Sequence, residues 1–393
     1  MVPMRRPDAL LLFLGVSLLP VYVFGSGGVQ PSHLLLACFA GFTIFNEGLP
    51  VISVTLLLLA LFLHAFAVES VYSMAGGDPR MIINSIFILY NFLLVSAIYA
   101  YCRRHGLGAL VPGTLIAAMI ALATVVTTGV DLRDMGEGGR PTGTFNNPNQ
   151  LGYFSVCLLS LTYLFYREKH LRYSVAVGLF GIALFLAIAS LSKAAMVANF
   201  AVGFFALKPG LSRNSILVWV IGALGAAAAL AILYQRGAFD DYLFMQRLQN
   251  MANESDSSLE SRGYFAFLQG NAIQMMFGLG NGLVDEIVGH EVHSTFASFL
   301  NNYGVVGLVL FLIMVLVWLL HVWRAYGIVG MISIAGPPLL YGITHNGSRF
   351  TIFWLLVAAS MATAQRLRLS KPTRHASAIR RAAAMQRCPR GKI

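Results

Sequence analysis

A chain of 393 residues that is 57% hydrophobic and only 11% charged is not an ordinary soluble domain. Soluble domains carry roughly a quarter charged residues to cover their core. The net charge of +11 would suit a nucleic-acid partner in a soluble protein, but here the basic residues sort by membrane side and no aromatic residues interleave the charges of the basic tail after Arg366, so no nucleic-acid partner is expected.

Apolar runs fall near 8–25, 31–44, 50–68, 81–101, 107–129, 150–166, 173–190, 194–207, 215–233, 295–321, 328–344 and 350–365. They predict an all-α, polytopic integral membrane protein with about twelve transmembrane helices. The first run is long and lacks a convincing small-residue cleavage site, so it reads as a span, not a removed signal peptide. With the N-terminus inside, Arg5-Arg6, Arg103-Arg104, Arg167, Lys169, Arg172, Lys208, Arg213, Arg324 and the tail are cytoplasmic, while most acidic residues are outside. This is the bias that sets orientation in a bilayer. Both termini are then cytoplasmic. Residues 1–365 form one transmembrane domain and 366–393 a basic cytoplasmic tail that lies on anionic lipid.

Three outer segments are longer than the rest: 69–80, 130–149 and 234–294. In the last, Gly263–Leu268 and Ala272–Phe277 read as an amphipathic pair on the bilayer surface, and Gly278–Gly282 as a turn. That turn is not a phosphate loop, because no strand precedes it. The halves of the chain show no internal repeat, which weakens an inverted-repeat transporter reading. Cys38, Cys102, Cys157 and Cys388 show no CxxC spacing and none lies in an outer loop, so neither disulfides nor a zinc site is expected.

Outward basic residues run against the insertion bias and ask for a reason. They are Arg80, Arg133, Arg140, Lys193, Arg236, Arg247, Arg262 and Arg349. Arg140 heads a polar turn in which Pro148 forces extended backbone before it and Asn149 stands where an N-cap belongs. A helix N-terminus favours anions, and an arginine there can clamp phosphate in a bidentate fork; the alternative is a hydrogen-bonded turn with an interfacial arginine. Lys193 is either a snorkelling helix-end lysine or a phosphate-facing cation. Arg262 either pairs with Glu260 or Asp256 or is a second phosphate arginine. His290 and His293 bracket Glu291 but lack a third ligand, so no metal is assigned. His293 precedes an N-cap-like Ser294 and a long apolar helix; it is either a helix-end structural histidine or a base for a sugar hydroxyl. Arg349, in the outer turn His345–Arg349, ranks below these. His64 and His321 read as packing residues.

Three islands, Arg140 with Gly143-Thr144-Phe145-Asn146-Asn147-Pro148-Asn149, Ser261-Arg262 with Gly278-Leu279-Gly280, and His293 with Phe299-Leu300, Gly304 and Gly307, resemble the O-antigen ligase/polymerase superfamily of bacterial envelope proteins. The likeness covers roughly 130–310 and the topology. Ser192-Lys193 departs from the family's usual Ser-Arg, keeping the charge but losing the fork, and Ser294 stands in place of the usual Asn.

The resemblance implies a membrane glycosyltransferase at the periplasmic face of the inner membrane. The donor would be a glycan on undecaprenyl diphosphate, and no metal, nucleotide or other cofactor is expected. In this scheme Arg140, Arg262 and Lys193 bind the diphosphate and His293 orients or deprotonates the acceptor. Asn146, Asn149, His290 and Arg349 give support, and in-line attack inverts the anomeric carbon. The acceptor is lipid A core in a ligase or a lipid-linked glycan in a polymerase. A transporter is the reading outside this chemistry, disfavoured by the scarcity of ionisable residues inside the spans.

Overall fold

The computed structural model of the chain describes residues 6–25, 28–128, 142–206, 260, 263–289 and 292–370, leaving aside the side chains of 201–206 and 370. Every regular element among the described residues is helical. In chain order these are α1 (Pro7–Ser17), α2 (Pro31–Glu47), α3 (Ser53–Met74), a 3-10 turn at Pro79–Ile82, α4 (Ile83–His105), α5 (Leu110–Thr128), α6 (Pro148–Arg167) and α7 (Tyr173–Ala189). Then follow α8 (Lys193–Ala206), a 3-10 turn at Ala266–Gln269, α9 (Ala272–Phe277), α10 (Asn281–Val288), α11 (Thr295–Thr344) and α12 (Thr351–Ser370).

Four helical stretches are long and apolar enough to cross a membrane: α3, α4 with the turn before it, α5 and α11. The expected dozen spans are thus met in part. The run expected at 8–25 is helical only to Ser17, where Leu18 closes it. α2 and α7, at 17 residues each, sit at the lower limit of length for a crossing. α6 and α12 are buried from Leu151 to Phe165 and from Thr351 to Ala364. Shielded from lipid by their neighbours, they carry Ser155, Ser160, Thr162, Ser360 and Thr363 on buried faces, each hydroxyl except Ser160's donating within the bundle. The run at 215–233 lies outside the described residues. Around the α6/α12 axis the other helices expose Leu34, Phe45, Leu56, Leu63, Val126 and Leu316. Helices apolar both inward and outward suit a lipid solvent, and the chain has the build of a membrane protein.

α11 is not one rod. Gly304 (φ 66°) and Gly327 (φ 73°) leave helical geometry and divide it into 295–303, 305–326 and 328–344. A straight helix of its 50 residues would hold its ends roughly 75 Å apart. Instead Thr295 Oγ1 donates to the His345 carbonyl at 3.0 Å, and Phe299 stacks on Phe311 with centroids 4.2 Å apart. Segment 305–326 therefore runs away from the first break and 328–344 returns beside it. The expected span 295–321 is corrected: its first turns form a separate short helix at the surface end.

Contacts gather the helix ends into two groups. At one end Arg6 bonds His105, His105 bonds Glu47, and Tyr326 donates to Glu168. At the other, Asn146 Nδ2 donates to the Phe24 carbonyl, Tyr341 to the Asn149 carbonyl, Tyr72 to Glu286 and Arg349 to Asn84. The first group holds segments predicted to be cytoplasmic and the second those predicted to be outer. The helices run alternately from one to the other.

Candidate functional site

Three helix N-termini meet at the second end. α6 begins with Pro148 at its first position, and the side chain of Asn147 accepts from Gln150 N at 2.9 Å. Asn147 is therefore the cap, and the sequence assignment of Asn149 to that role is corrected by two residues. Asn149 instead lies inside the first turn, where its carbonyl accepts from Tyr341 Oη at 2.8 Å. α8 begins at Lys193, and Ser192 Oγ accepts from Ala195 N at 3.4 Å. Ser192 Oγ also donates to Tyr341 Oη at 3.3 Å. α11 begins after Ser294, whose Oγ accepts from Ala297 N at 3.3 Å, so the cap expected next to His293 is present.

Tyr341 is the hub. Its hydroxyl joins the starts of α6 and α8, and its ring stacks on His345 with centroids 4.5 Å apart. His345 in turn bonds Thr295, two residues from His293. Gly152 fits tightly there, since a Cβ would lie 3.0 Å from Tyr341 Oη and 3.2 Å from Ser192 Cβ and would press those neighbours back. The free N–H groups of helix starts carry partial positive charge, and Lys193 adds a full one, so this corner favours an anion. The turn before Lys193 holds Leu191 at φ 49°, a left-handed conformation costing a branched residue roughly 1–2 kcal/mol. Its burial keeps it there.

The segment following Arg262 is pinned to the same end. Gly263 O accepts from Asn301 Nδ2 at 2.6 Å, and Tyr264 Oη bonds Ser294 Oγ at 2.7 Å and donates to Ile343 O at 2.8 Å. Leu279 N and Gly280 N donate to the carbonyls of Asn301 and Asn302 at 2.9 and 3.0 Å. That backbone approach needs bare glycines: a Cβ on Gly278 would overlap Asn302 O, and one on Gly304 would overlap Met276 O. The expected turn at Gly278–Gly282 ends early, because Asn281 already starts α10. Where the amphipathic pair is expected the chain forms the 3-10 turn and α9, which expose Phe265, Leu268, Ile273, Met276 and Phe277.

Of the expected site residues, Arg140, Arg262 and His290 lie outside the described residues. Lys193 is half-buried and His293 exposed, on turns joined through Tyr341, His345 and Thr295. Asn146 is exposed, and its side chain serves the loop by donating to Phe24 O at 3.0 Å. Arg349 is exposed on the next turn along, donating to Asn84 Oδ1 at 3.2 Å. Arg80 is committed elsewhere: it pairs with Asp78 at 2.8 Å, and its hydrogen bonds hold the Asp78 carboxyl below the usual carboxylate range. His64 is structural as expected, its Nε2 bonding Tyr303 O at 2.8 Å beside the Gly304 break.

Sequence reasoning missed Tyr341 and Glu69. Tyr341 sits in an apolar run and gives no local signal. Glu69 is a carboxylate at the end of an apolar segment, which by itself flags a residue worth placing. It is fully buried and Oε1 accepts both the backbone N–H and Nδ2 of Asn281. Among the described residues one group has metal-like spacing, Asp8, Glu47 and His105, at the opposite end. Arg6 fills it, pairing with Asp8 at 3.0 Å and Glu47 at 3.8 Å, so it reads as an ion-pair cluster. No known protein-family model and no curated protein matches the chain.

Proposed function

We propose that the chain is a membrane glycosyltransferase of the O-antigen ligase kind, working at the periplasmic face of the bacterial inner membrane through about twelve spans. The observation that carries the reading is the meeting of the α6 and α8 starts on Tyr341, with Lys193 on one and the His293 turn adjoining. The motif resemblance supplies the substrate class.

The donor is a glycan on undecaprenyl diphosphate. The acceptor hydroxyl oxygen attacks the anomeric carbon, the bond from that carbon to the diphosphate oxygen breaks, and the diphosphate leaves with the electron pair. The acceptor proton passes to His293. The leaving group is already a good one, so the enzyme's main task is to stabilise negative charge. Lys193 and the helix-start N–H groups do this together with Arg140 and Arg262, while Asn146, Asn149, His290 and Arg349 shape the surroundings. Attack from the face opposite the diphosphate inverts the anomeric carbon.

The test mixes purified protein with a lipid-diphosphate oligosaccharide, lipid A core or further donor as acceptor, and EDTA. Release of undecaprenyl diphosphate with a longer glycan is expected, unaffected by EDTA. Lys193→Ala should lower kcat/KM about 100-fold, as loss of one charge-stabilising donor does elsewhere, and Lys193→Arg should retain most activity. The acceptor consumed tells ligase from polymerase. Retained activity in both Arg140→Ala and His293→Ala at normal expression overturns the reading. Donor crossing proteoliposomes without any transfer replaces it with transport.

A further inference from the structure

Beside the anion corner a second polar feature enters the same end of the bundle. It is a fissure of about 40 Å³ between α4 and the 295–303 segment, room for roughly three waters. Asn84 and Asn91 line it from α4, Asn302 and Ser298 from the opposite side, and Arg349 stands at its mouth beside Asn84. Phe87, Phe299 and Trp354 complete the wall. From Asn84 to Asn91 the lining descends α4 by about 10 Å, into the depth of the bundle.

The amides are oriented from behind. Glu69 Oε1 already accepts the Asn281 backbone N–H, so the Asn281 side chain turns its NH2 toward the same oxygen. Asn281 Oδ1 then accepts from Asn302 Nδ2 at 2.8 Å, and the same Nδ2 reaches Ser298 Oγ at 3.1 Å. Asn302 is thereby fixed with its Oδ1 buried and without a partner. Ser298 Oγ also accepts from Asn346 Nδ2 at 3.2 Å, which leaves its own proton to donate. Asn91 is 5% exposed, and no hydrogen bond joins its side chain to another described residue. Buried amides are costly unless bonded.

What remains open is therefore a mixture: an acceptor at Asn302, a donor at Ser298, and both at Asn91. No carboxylate lines the fissure to hold a cation, and one arginine at the rim does not make a polyanion site. A ligand whose groups each donate and accept, carried on a ring that packs against aromatic faces, fits this set. We propose that the fissure takes the hydroxyl-bearing edge of a sugar ring, and, resting on the glycosyltransferase reading, that this ring is the terminal residue of the acceptor glycan.

The experiment is saturation-transfer NMR on the full chain in detergent, with a panel of methyl pyranosides and no donor. At least one pyranoside is expected to bind, and Asn91→Leu should weaken it about tenfold, the loss of one or two hydrogen bonds. Asn84→Ala, at the mouth, should weaken it as well and serves if Asn91→Leu does not fold. No pyranoside binding to the wild-type chain at tens of millimolar, or equal binding in wild type and both variants, overturns the proposal. The two readings fail separately: a wild-type chain that binds the sugar through Asn91 but transfers nothing loses the enzyme and keeps the fissure. A chain that transfers glycan while sugar binding ignores both asparagines does the reverse.

Discussion

Glu69 concentrates the energetics of the Tyr341 end of the bundle on one side chain. A buried carboxylate is tolerated only when its surroundings donate to it, and here both donors come from Asn281. The carboxylate also sits at the start of α10, where negative charge is favoured. Glu69→Leu removes the acceptor and strands two buried donors, so a loss of about 1–3 kcal/mol in stability is expected. Glu69→Gln keeps an oxygen for those donors, drops the buried charge, and should stay within about 1 kcal/mol of wild type. Thermal unfolding of both variants in detergent checks the pair, and equal losses would mean that charge, not hydrogen bonding, is what Asn281 requires. Lys193 shows the other side of residue-scale reading: its place at a helix start follows from Ser192 as cap, yet the Tyr341 hydroxyl that Ser192 meets lies on a helix far away in sequence.

Among the elements, the broken stretch α11 decides how the site is assembled. Its two glycines share a left-handed φ but differ in surroundings. At Gly304 a Cβ would overlap the backbone of Met276, whereas at Gly327 nothing lies within 4 Å. Gly327→Ala should therefore cost only the conformational term, about 1 kcal/mol. Gly304→Ala adds steric overlap with a docked backbone and should cost roughly 2–3 kcal/mol or more. Unfolding midpoints measured side by side give the order. A Gly327 variant as damaged as the Gly304 variant would refute the close approach at Met276. The apolar pattern of 295–321 concealed the first break because Leu300, Val305 and Val306 keep it hydrophobic on both sides, while the neighbours that demand a glycine belong to the loop at 276–280.

For the whole molecule, the sorting of helix ends predicts sidedness. In a background without the native cysteines, Ala75→Cys and Ser348→Cys lie at the end with Tyr341, and Leu49→Cys and His170→Cys at the end with Glu47. A membrane-impermeant maleimide added to intact cells should label the first pair, and the second only after permeabilisation. Labelling of all four from one side would contradict the membrane-crossing arrangement. α6 and α12 are not among the four stretches long and apolar enough to cross a membrane, and helices wrapped by protein need not be as apolar as those facing lipid.

The sequence by itself determined the helical class and the presence of helices apolar enough to cross a bilayer, because these follow from local composition along the chain. It also placed the caps nearly correctly, erring from Asn149 to Asn147, since cap preference is local and two asparagines flank one proline. Only the tertiary structure decided which turns touch. Tyr341 as hub, Glu69 as the anchor of Asn281 and the amide-lined fissure all depend on contacts between residues more than 100 positions apart or on backbone breaks that admit them. Such contacts are fixed by packing, and packing is a property of surfaces brought together, which no local pattern records.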